Sequence, residues 1–517
     1  MTLKTKQKEF GDYQTPVYFT NLVCNYLKKE LNISPNNIIE PTCGKGNFLV
    51  SCLNYFPNSK IYGIEINECY LNEIREKINS KNLFLYHENI FNFNFNVITG
   101  ETYRKNETLI IGNPPWINNT NLSILNSENI PKKSNFKQKR GIDSITGSSN
   151  FDIAEYIILK VINYFKNTNT TISFLCKFSV AREVFQELKR SRINFNLARI
   201  ISFDAKKVFN ISAEACIFII LLTSENISKD DCEVYDLDNT NNLKYRFGFK
   251  NNKFYSNLDN EFDTIDGKSF FEWHQGIKHD CSKIMELKKG ELKKGKNYYI
   301  NKKKEELYIE DTLICPLIKS SDIKEYILNK TNKYVIVTQK KVKEDTNYIE
   351  KLAPKTWSYL KENEEMFNNR KSIIYKNSPK FAMFGVGEYT FSKYKVGISG
   401  FYKNPIFSLL VFEKAVMMDD TCYFISFENY DDAYITMLIL NSDLVQGFLK
   451  NTAFLDSKRP YTKKILQRID FNKCVNLLEI NDLIDIEKRL NLPKFVNKNQ
   501  YNNFKKLLKH DFQKTLF

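Results

Sequence analysis

Up to about residue 225, short apolar runs alternate with stretches whose apolar positions recur every three to four residues. The first pattern is that of a buried strand and the second that of a helix with one buried face. "NIIE" (37–40), "KIYGIEIN" (60–67), "NLFLYH" (82–87) and "TLIIG" (108–112) read as strands. "NFLVSCLNYF" (47–56), "CYLNEIREKIN" (69–79) and "FDIAEYIILKVINYF" (151–165) read as helices. "TISFLCKF" (171–178), "LARIISF" (197–203) and "ACIFIILL" (215–222) complete the set, the last two close enough to pair directly. Alternating strands and helices predict an α/β domain with a mostly parallel sheet. Past about 230 the strands become short and irregular, lysines cluster at 288–304, and aromatics interleave with basic residues. The pattern predicts domains at 1–230 and 231–480, the second a mixed α/β domain, then a helical tail at 481–517. One long polar stretch, 117–150, interrupts the first domain and contains "KKSNFKQKR" (132–140). A loop of that length inside a compact domain is usually functional or disordered.

Composition narrows the partners. The 517 residues carry 76 Lys and Arg against 60 Asp and Glu, a net charge of +16. Such an excess suits a polyanion, either nucleic acid or an anionic membrane surface. A bias toward Lys and Asn from an AT-rich genome would give the same count. No apolar run approaches the ~20 residues of a membrane span, and "CIFIILL" (216–222) has only strand length. The first residues, "MTLKTKQKEF", lack the apolar core of a signal peptide. The 11 cysteines include no C-x-x-C pair, which fits a reducing cytoplasm rather than a disulfide framework or a zinc ribbon.

Candidate chemistry begins at "NNIIEPTCGKGNFL" (36–49). A strand ends in Glu40, a turn carries Gly44 and Gly46, and a helix starts near Asn47. Glycines there permit left-handed backbone and close approach of a ligand, and the helix start offers free N–H groups. A second acid, Glu65, ends the next strand, where a carboxylate can accept hydrogen bonds from a ribose diol. Position 49 is Leu, so the dinucleotide pattern G-x-G-x-x-G is absent, and Lys45 is followed by Gly46 rather than the Ser or Thr of a phosphate-binding loop. A glutamate at the turn repels phosphate and suits a cation. S-adenosylmethionine has a sulfonium, an ammonium and a ribose but no phosphate, so charge favours it over NAD or ATP.

The fourth strand runs into "NPPW" (113–116). This turn lies at the carboxyl edge of the sheet, where ligands bind in open α/β folds. The Asn113 amide oxygen and the Pro114 carbonyl form two acceptors on a turn stiffened by proline. Two acceptors orient an –NH2 group, and Trp116 offers a face for a flat ring. An amino nitrogen so held can attack an activated methyl in line, with the rate coming from positioning and preorganised dipoles.

These segments together resemble the gamma class of N6-adenine-specific DNA methyltransferases found in restriction–modification systems. "GDYQTP" (11–16) is similar to the segment that closes over the methionine moiety and implicates Thr15. "EPTCGKGNFL" (40–49) resembles the family's first cofactor motif, which implies cofactor contacts from Glu40, Thr42, Cys43, Gly44, Gly46 and Phe48. "GIEIN" (63–67) resembles the second, implying Glu65 and Ile66. "HENIF" (87–91) stands where the family usually has an Asp for the cofactor's adenine, and this chain has Asn89 followed by Ile90. "NPPW" is similar to the catalytic tetrapeptide, implying Asn113, Pro114 and Trp116. "KVFNISAEACIFIILL" (207–222) resembles the segment whose phenylalanine stacks on the opposite face of the flipped base, implying Phe209. The implied fold is a Rossmann-like methyltransferase domain followed by a mixed α/β target-recognition domain.

Beyond 230, "HQGIKHD" (274–280), "CPLIKSSDI" (315–323), "YKVGISGFYK" (394–403) and "SKRPYTKKIL" (457–466) fall in the order expected of recognition domains in that family. The implied substrate is double-stranded DNA, and base flipping costs about a few kcal/mol. Candidate DNA contacts are Lys132, Lys133 and Lys137 in the long polar stretch, with Lys278, Arg459, Tyr461, Lys463 and Lys464 in the second domain. The same tetrapeptide occurs in RNA base methyltransferases and in glutamine methyltransferases of proteins, so those alternatives stay open on the motif alone. Size and charge favour DNA. His274, His279 and Cys281 lie close together without a fourth ligand, so no metal is expected. The motifs start within the first 15 residues, which predicts a stand-alone methyltransferase without a fused nuclease, either paired with a separate cognate endonuclease or an orphan; a monomer in the prokaryotic cytoplasm, associated with the nucleoid through DNA, is expected.

Overall fold

A computed structural model describes residues 14–99, 107–117, 152–211, 213–260, 263–291 and 298–510. The chain divides into two compact units, Met1–Asp259 and Asn260–Phe517.

In the first unit the apolar runs pair into one ten-stranded sheet. Its strands are β1 (Asn37–Glu40), β2 (Lys60–Glu65), β3 (Leu83–His87), β4 (Thr108–Gly112), β5 (Thr170–Lys177), β6 (Phe195–Asp204), β7 (Glu214–Leu222), β8 (Asp231–Asp236), β9 (Tyr245–Lys250) and β10 (Lys253–Tyr255). They lie in the order β3-β2-β1-β4-β5-β7-β6-β8-β9-β10. The five strands from β3 to β5 are parallel. β7 runs antiparallel to both β5 and β6, as expected for two strands joined by a short connection. From β1 the chain adds β2 and β3 on one side, and β4 and β5 extend the sheet on the other. That reversal leaves a crevice at the carboxyl ends of β1 and β4, the usual ligand position of such sheets.

Helices cover the sheet where the sequence supplies an apolar stripe, and three of them start on a capping side chain. The helices are α1 (Val17–Lys29), α2 (Asn47–Tyr55), α3 (Glu68–Lys77), α4 (Ile153–Phe165), α5 (Phe178–Arg190) and the short α6 (Ala205–Phe209). The side chain of Asn67 accepts from Cys69 N to start α3, and Asp204 accepts from Lys206 N to start α6. α5 buries Val180, Ala181, Val184, Phe185 and Leu188, a stripe of helical spacing absent from the sequence reading. β8 pairs in parallel with β6 and buries Cys232 and Val234, so the first unit ends at Asp259 rather than at 230.

The second unit has two sheets. One is five-stranded and is built on Tyr394–Ser399, between Phe407–Val411 and Cys422–Phe427. The other is six-stranded and includes Glu286–Lys289, Lys333–Ile336 and Ile314–Ile318. Helices follow from Tyr430 onward, before the boundary at 481: Tyr430–Leu440 carries Asp431 and Asp432 in its first turn and buries Ala433 through Leu440.

Candidate active site

The turn after β1 is a tight cradle. Gly44 and Gly46 both adopt left-handed backbone, at φ 51° and 79°, and Gly46 precedes the first residue of α2. Glu65 ends β2 and closes the cradle: one carboxylate oxygen accepts from Gly44 N at 2.8 Å and the other from Asn67 N at 2.9 Å. Residues 14 and 15 lie over the turn. Gln14 Oε1 accepts from Lys45 N at 3.0 Å, and the Thr15 carbonyl accepts from Asn47 Nδ2 at 2.7 Å.

Glu40 is 3% exposed. Its Oε2 and the neighbouring Thr42 Oγ1 are buried with no hydrogen-bond partner among the described residues. Burial, and then the nearby Glu65, push the Glu40 carboxyl well above the ordinary carboxylate range. Burial beside the two acids also raises the Cys43 thiol, which therefore stays neutral. A buried acid next to a second acid favours a cationic ligand. Two orphaned acceptors and an acid pair fit the sulfonium, ammonium and ribose of S-adenosylmethionine. Phe48 and Ile90 are buried, and Ile66 is exposed at the end of β2. Asn89 Oδ1 accepts from Phe91 N at 2.9 Å, so part of that oxygen's capacity is used within its own turn.

The Asn-Pro-Pro-Trp turn adjoins this cradle. A Cβ placed on Gly112, the residue before Asn113, would sit 3.4 Å from Glu40 Cγ. The cation-seeking acid and the paired acceptors of the turn are thus neighbours. Asn113 is half-buried and Pro114 buried. Trp116 is 8% exposed, and its indole N–H donates to the Leu175 carbonyl on β5 at 3.2 Å. Half-buried Phe209, at the end of α6, meets it edge-on, with centroids 5.5 Å apart and planes at 74°. Phe203 and Phe19 continue the aromatic row. A base held between parallel faces needs two van der Waals layers of ~3.5 Å each, so these rings must reorient to sandwich one.

Two polar clusters escaped the sequence reading. Lys177, the last residue of β5, lies 2.6 Å from Asp152 Oδ2 and donates to the Trp116 carbonyl at 3.3 Å. Lys160 on α4 donates to the carbonyls of Ile90 and Phe91 at 2.6 and 2.8 Å and pins the turn after β3. A lysine closing an otherwise apolar strand, "TTISFLCK" (170–177), was the one available signal for the first.

Of the expected DNA contacts, Lys132, Lys133 and Lys137 lie outside the described residues. Lys464 is exposed with no ion pair among the described residues. Lys463 is exposed and pairs with Glu272 at 3.1 Å. Half-buried Lys278 lies 3.5 Å from Asp280 Oδ2. Arg459 donates to the Asp420 carbonyl at 2.9 Å and stacks over Phe401. Tyr461 departs from expectation. It is wholly buried, and its hydroxyl donates to the Lys403 carbonyl at 2.6 Å, so it braces the fold instead of facing a ligand. Among the described residues no cluster of three His, Cys, Asp or Glu suits a metal. His279 is buried and its pKa falls to about 4, mainly through loss of solvation, while His274 stacks on Tyr389 with centroids 3.7 Å apart. No helix among the described residues is long and apolar enough to cross a membrane.

Comparison with known proteins shows the family and the fold. The sequence model of N-6 DNA methylases matches residues 2–307. The type II methyltransferase M.NspV of Nostoc sp. is 38% identical over 485 residues, spanning 92% of this chain and 98% of the relative. M.CvrRI, a type II methyltransferase of Paramecium bursaria Chlorella virus XZ-6E, is 34% identical over 113 residues, 22% of this chain and 26% of that one. Among solved structures, the type IIL restriction–modification enzyme MmeI in complex with DNA shares the fold at a TM-score of 0.53 and 12% identity, covering 98% of this chain and 74% of that one. The family model covers more than half of the chain and the M.NspV similarity runs nearly its whole length: the chain belongs to the N-6 DNA methylase family.

Proposed function

We propose that this enzyme methylates the N6 amino group of adenine at a specific site in double-stranded DNA, using S-adenosylmethionine, as part of a restriction–modification system. The observation that supports the reading is the closeness of buried Glu40 to Gly112, where an added Cβ would lie 3.4 Å from Glu40 Cγ, which sets the acid beside two acceptors suited to an amino group. S-adenosylmethionine supplies a methyl group on a good leaving group, so no strong base is required. Glu40, Thr42, the Gly44–Gly46 turn and Glu65 hold the cofactor. The Asn113 amide oxygen and the Pro114 carbonyl accept the two hydrogens of the target amino group and aim its lone pair. Trp116 and Phe209 stack on the everted base, which returns on the order of 1–3 kcal/mol against the cost of flipping. Basic residues of the second unit neutralise phosphates. The enzyme acts as a monomer in the cytoplasm, and a separate endonuclease cuts unmodified sites.

The test is expression in a bacterial host devoid of DNA methylation, followed by modification-sensitive sequencing of its genome. The expected result is N6-methyladenine at every copy of one short sequence. An unmodified genome, with purified protein that methylates structured RNA and not duplex DNA, would overturn the reading.

A further inference from the structure

We infer that Lys177 and Asp152 form an ion-pair clamp that positions the Asn113–Trp116 turn for methyl transfer, an inference that rests on the function proposed above. The need for a clamp follows from the turn's own chemistry. Pro114 and Pro115 have no N–H, so the tetrapeptide keeps only the donors of residues 113 and 116. With two backbone donors in four residues such a turn anchors itself weakly, and hydrogen bonds to its carbonyls from outside steady it.

Strand β5 provides the anchor. Gly112 pairs with Phe174, so the chain leaves β4 alongside residues 175–177. Trp116 is fastened twice to that strand end. Its indole N–H donates to the Leu175 carbonyl, and its own carbonyl accepts from the Lys177 ammonium. The ammonium is fixed in turn by Asp152, which is 7% exposed and whose other oxygen caps α4 by accepting from Ala154 N at 3.1 Å. Ile153 N then donates to the Ile117 carbonyl at 2.8 Å. Consecutive carbonyls, 116 and 117, are therefore held by β5 and by the start of α4.

Lys177 has no direct role toward the base or the cofactor in this scheme. It acts through the turn, and its loss should disturb the alignment of Asn113 and Pro114 rather than the capture of either substrate. Among the described residues, Lys177 on β5 is the charged group that acts on the Asp152 carboxyl at the start of α4.

The test uses the full chain and a duplex carrying the site found by genome sequencing. Lys177→Met, Lys177→Arg and Asp152→Asn are compared in single-turnover methylation, with cofactor affinity from calorimetry and duplex affinity from anisotropy. Lys177→Met should lower the methylation rate by about 10²-fold, the scale expected of a misplaced reacting group, with both affinities retained. Lys177→Arg should recover much of the rate, because its fork reaches both acceptors. Asp152→Asn keeps an N-cap acceptor, so the fold survives, yet it removes the counter-charge and should also slow transfer. The double variant Lys177→Met/Asp152→Asn should be no slower than Lys177→Met alone, since the two act as one unit. Wild-type rates in Lys177→Met and Asp152→Asn would overturn the clamp while leaving the function intact, as would losses confined to cofactor affinity. If Lys177→Met fails to fold, Asp152→Asn and Lys177→Arg decide. A wild-type chain inactive on all duplexes would instead overturn the function itself.

Discussion

Phe209 meets Trp116 edge-on rather than face to face, with ring centroids 5.5 Å apart and planes at 74°. Trp116 is fixed at its indole nitrogen and is 8% exposed, whereas Phe209 is half-buried at the end of a five-residue helix followed by Asn210 in left-handed backbone. Phe209 is therefore the ring that turns to admit a base. Phe209→Ala should reduce kcat/KM by about 5- to 150-fold, the equivalent of losing ~1–3 kcal/mol of stacking, while the fold and cofactor affinity hold. A 2-aminopurine at the target position would report the defect as reduced flipping. Trp116→Ala is a poorer probe, because emptying a buried aromatic site costs ~3–5 kcal/mol of stability and mixes folding with catalysis.

If Glu40 holds the cofactor as proposed, it links cofactor binding to pH. Its carboxyl is raised well above the ordinary range by burial and then by Glu65. Between the unfolded and folded pKa values the native state binds more protons than the unfolded state, so stability must fall as pH rises through that window. The stabilising contribution is complete below the unfolded pKa and is lost as pH climbs through the folded one. Glu40→Gln mimics the protonated acid and should flatten this dependence. In thermal melts at pH 5 and pH 8 without cofactor, the wild type should lose more stability than the variant on going to pH 8. With cofactor at a hundredfold excess over its Kd, the wild type should gain about 2.7 kcal/mol, and the variant should lose most of that gain.

The elements that form the crevice were readable because local chemistry and global position agree there. "NIIE" and "TLIIG" are apolar runs ended by an acid or a glycine, and Gly44 and Gly46 punctuate the turn between strand and helix. Lys177 and Asp152 were not readable. They are 25 positions apart and meet only in space, and each alone resembles an ordinary charged residue at the end of an element. Tyr461 misled for the opposite reason. Arg459, Lys463 and Lys464 surround it in sequence, yet the fold turns the ring inward and leaves Lys463 and Lys464 outside. β8 to β10 carry charges along an amphipathic sheet extension and so resembled the irregular region that follows, although β8 completes the first sheet through its pairing with β6.

Asn113 tests whether the turn is the catalytic centre. One preorganised polar contact to a reacting group is worth about 10²–10³-fold in rate. Asn113→Ala should lower kcat by that order and leave cofactor affinity unchanged, since the acid pair that attracts the cofactor lies on β1 and β2. Single-turnover transfer from labelled cofactor, with affinity from calorimetry, separates the two quantities. Equal losses in rate and in cofactor affinity would mean that the turn supports the cradle rather than the amino group.

Lys464 and Tyr461 make opposite predictions from nearly adjacent positions. Lys464 is exposed and without an ion pair among the described residues, so it can neutralise a phosphate without first breaking a contact. Lys464→Ala should weaken binding to specific and non-specific duplexes alike and reduce the slope of log K against log salt by about 1. Lys463 must leave Glu272 before it meets a phosphate, so Lys463→Ala should have the smaller effect. Tyr461→Phe removes a buried hydroxyl from the Lys403 carbonyl and should cost about 1 kcal/mol of stability without altering the salt slope. A salt titration of binding alongside denaturant melts distinguishes the three. No change of slope in Lys464→Ala would place the duplex on a different face of the second unit, and a change in Tyr461→Phe would show that the buried hydroxyl shapes the duplex-binding surface.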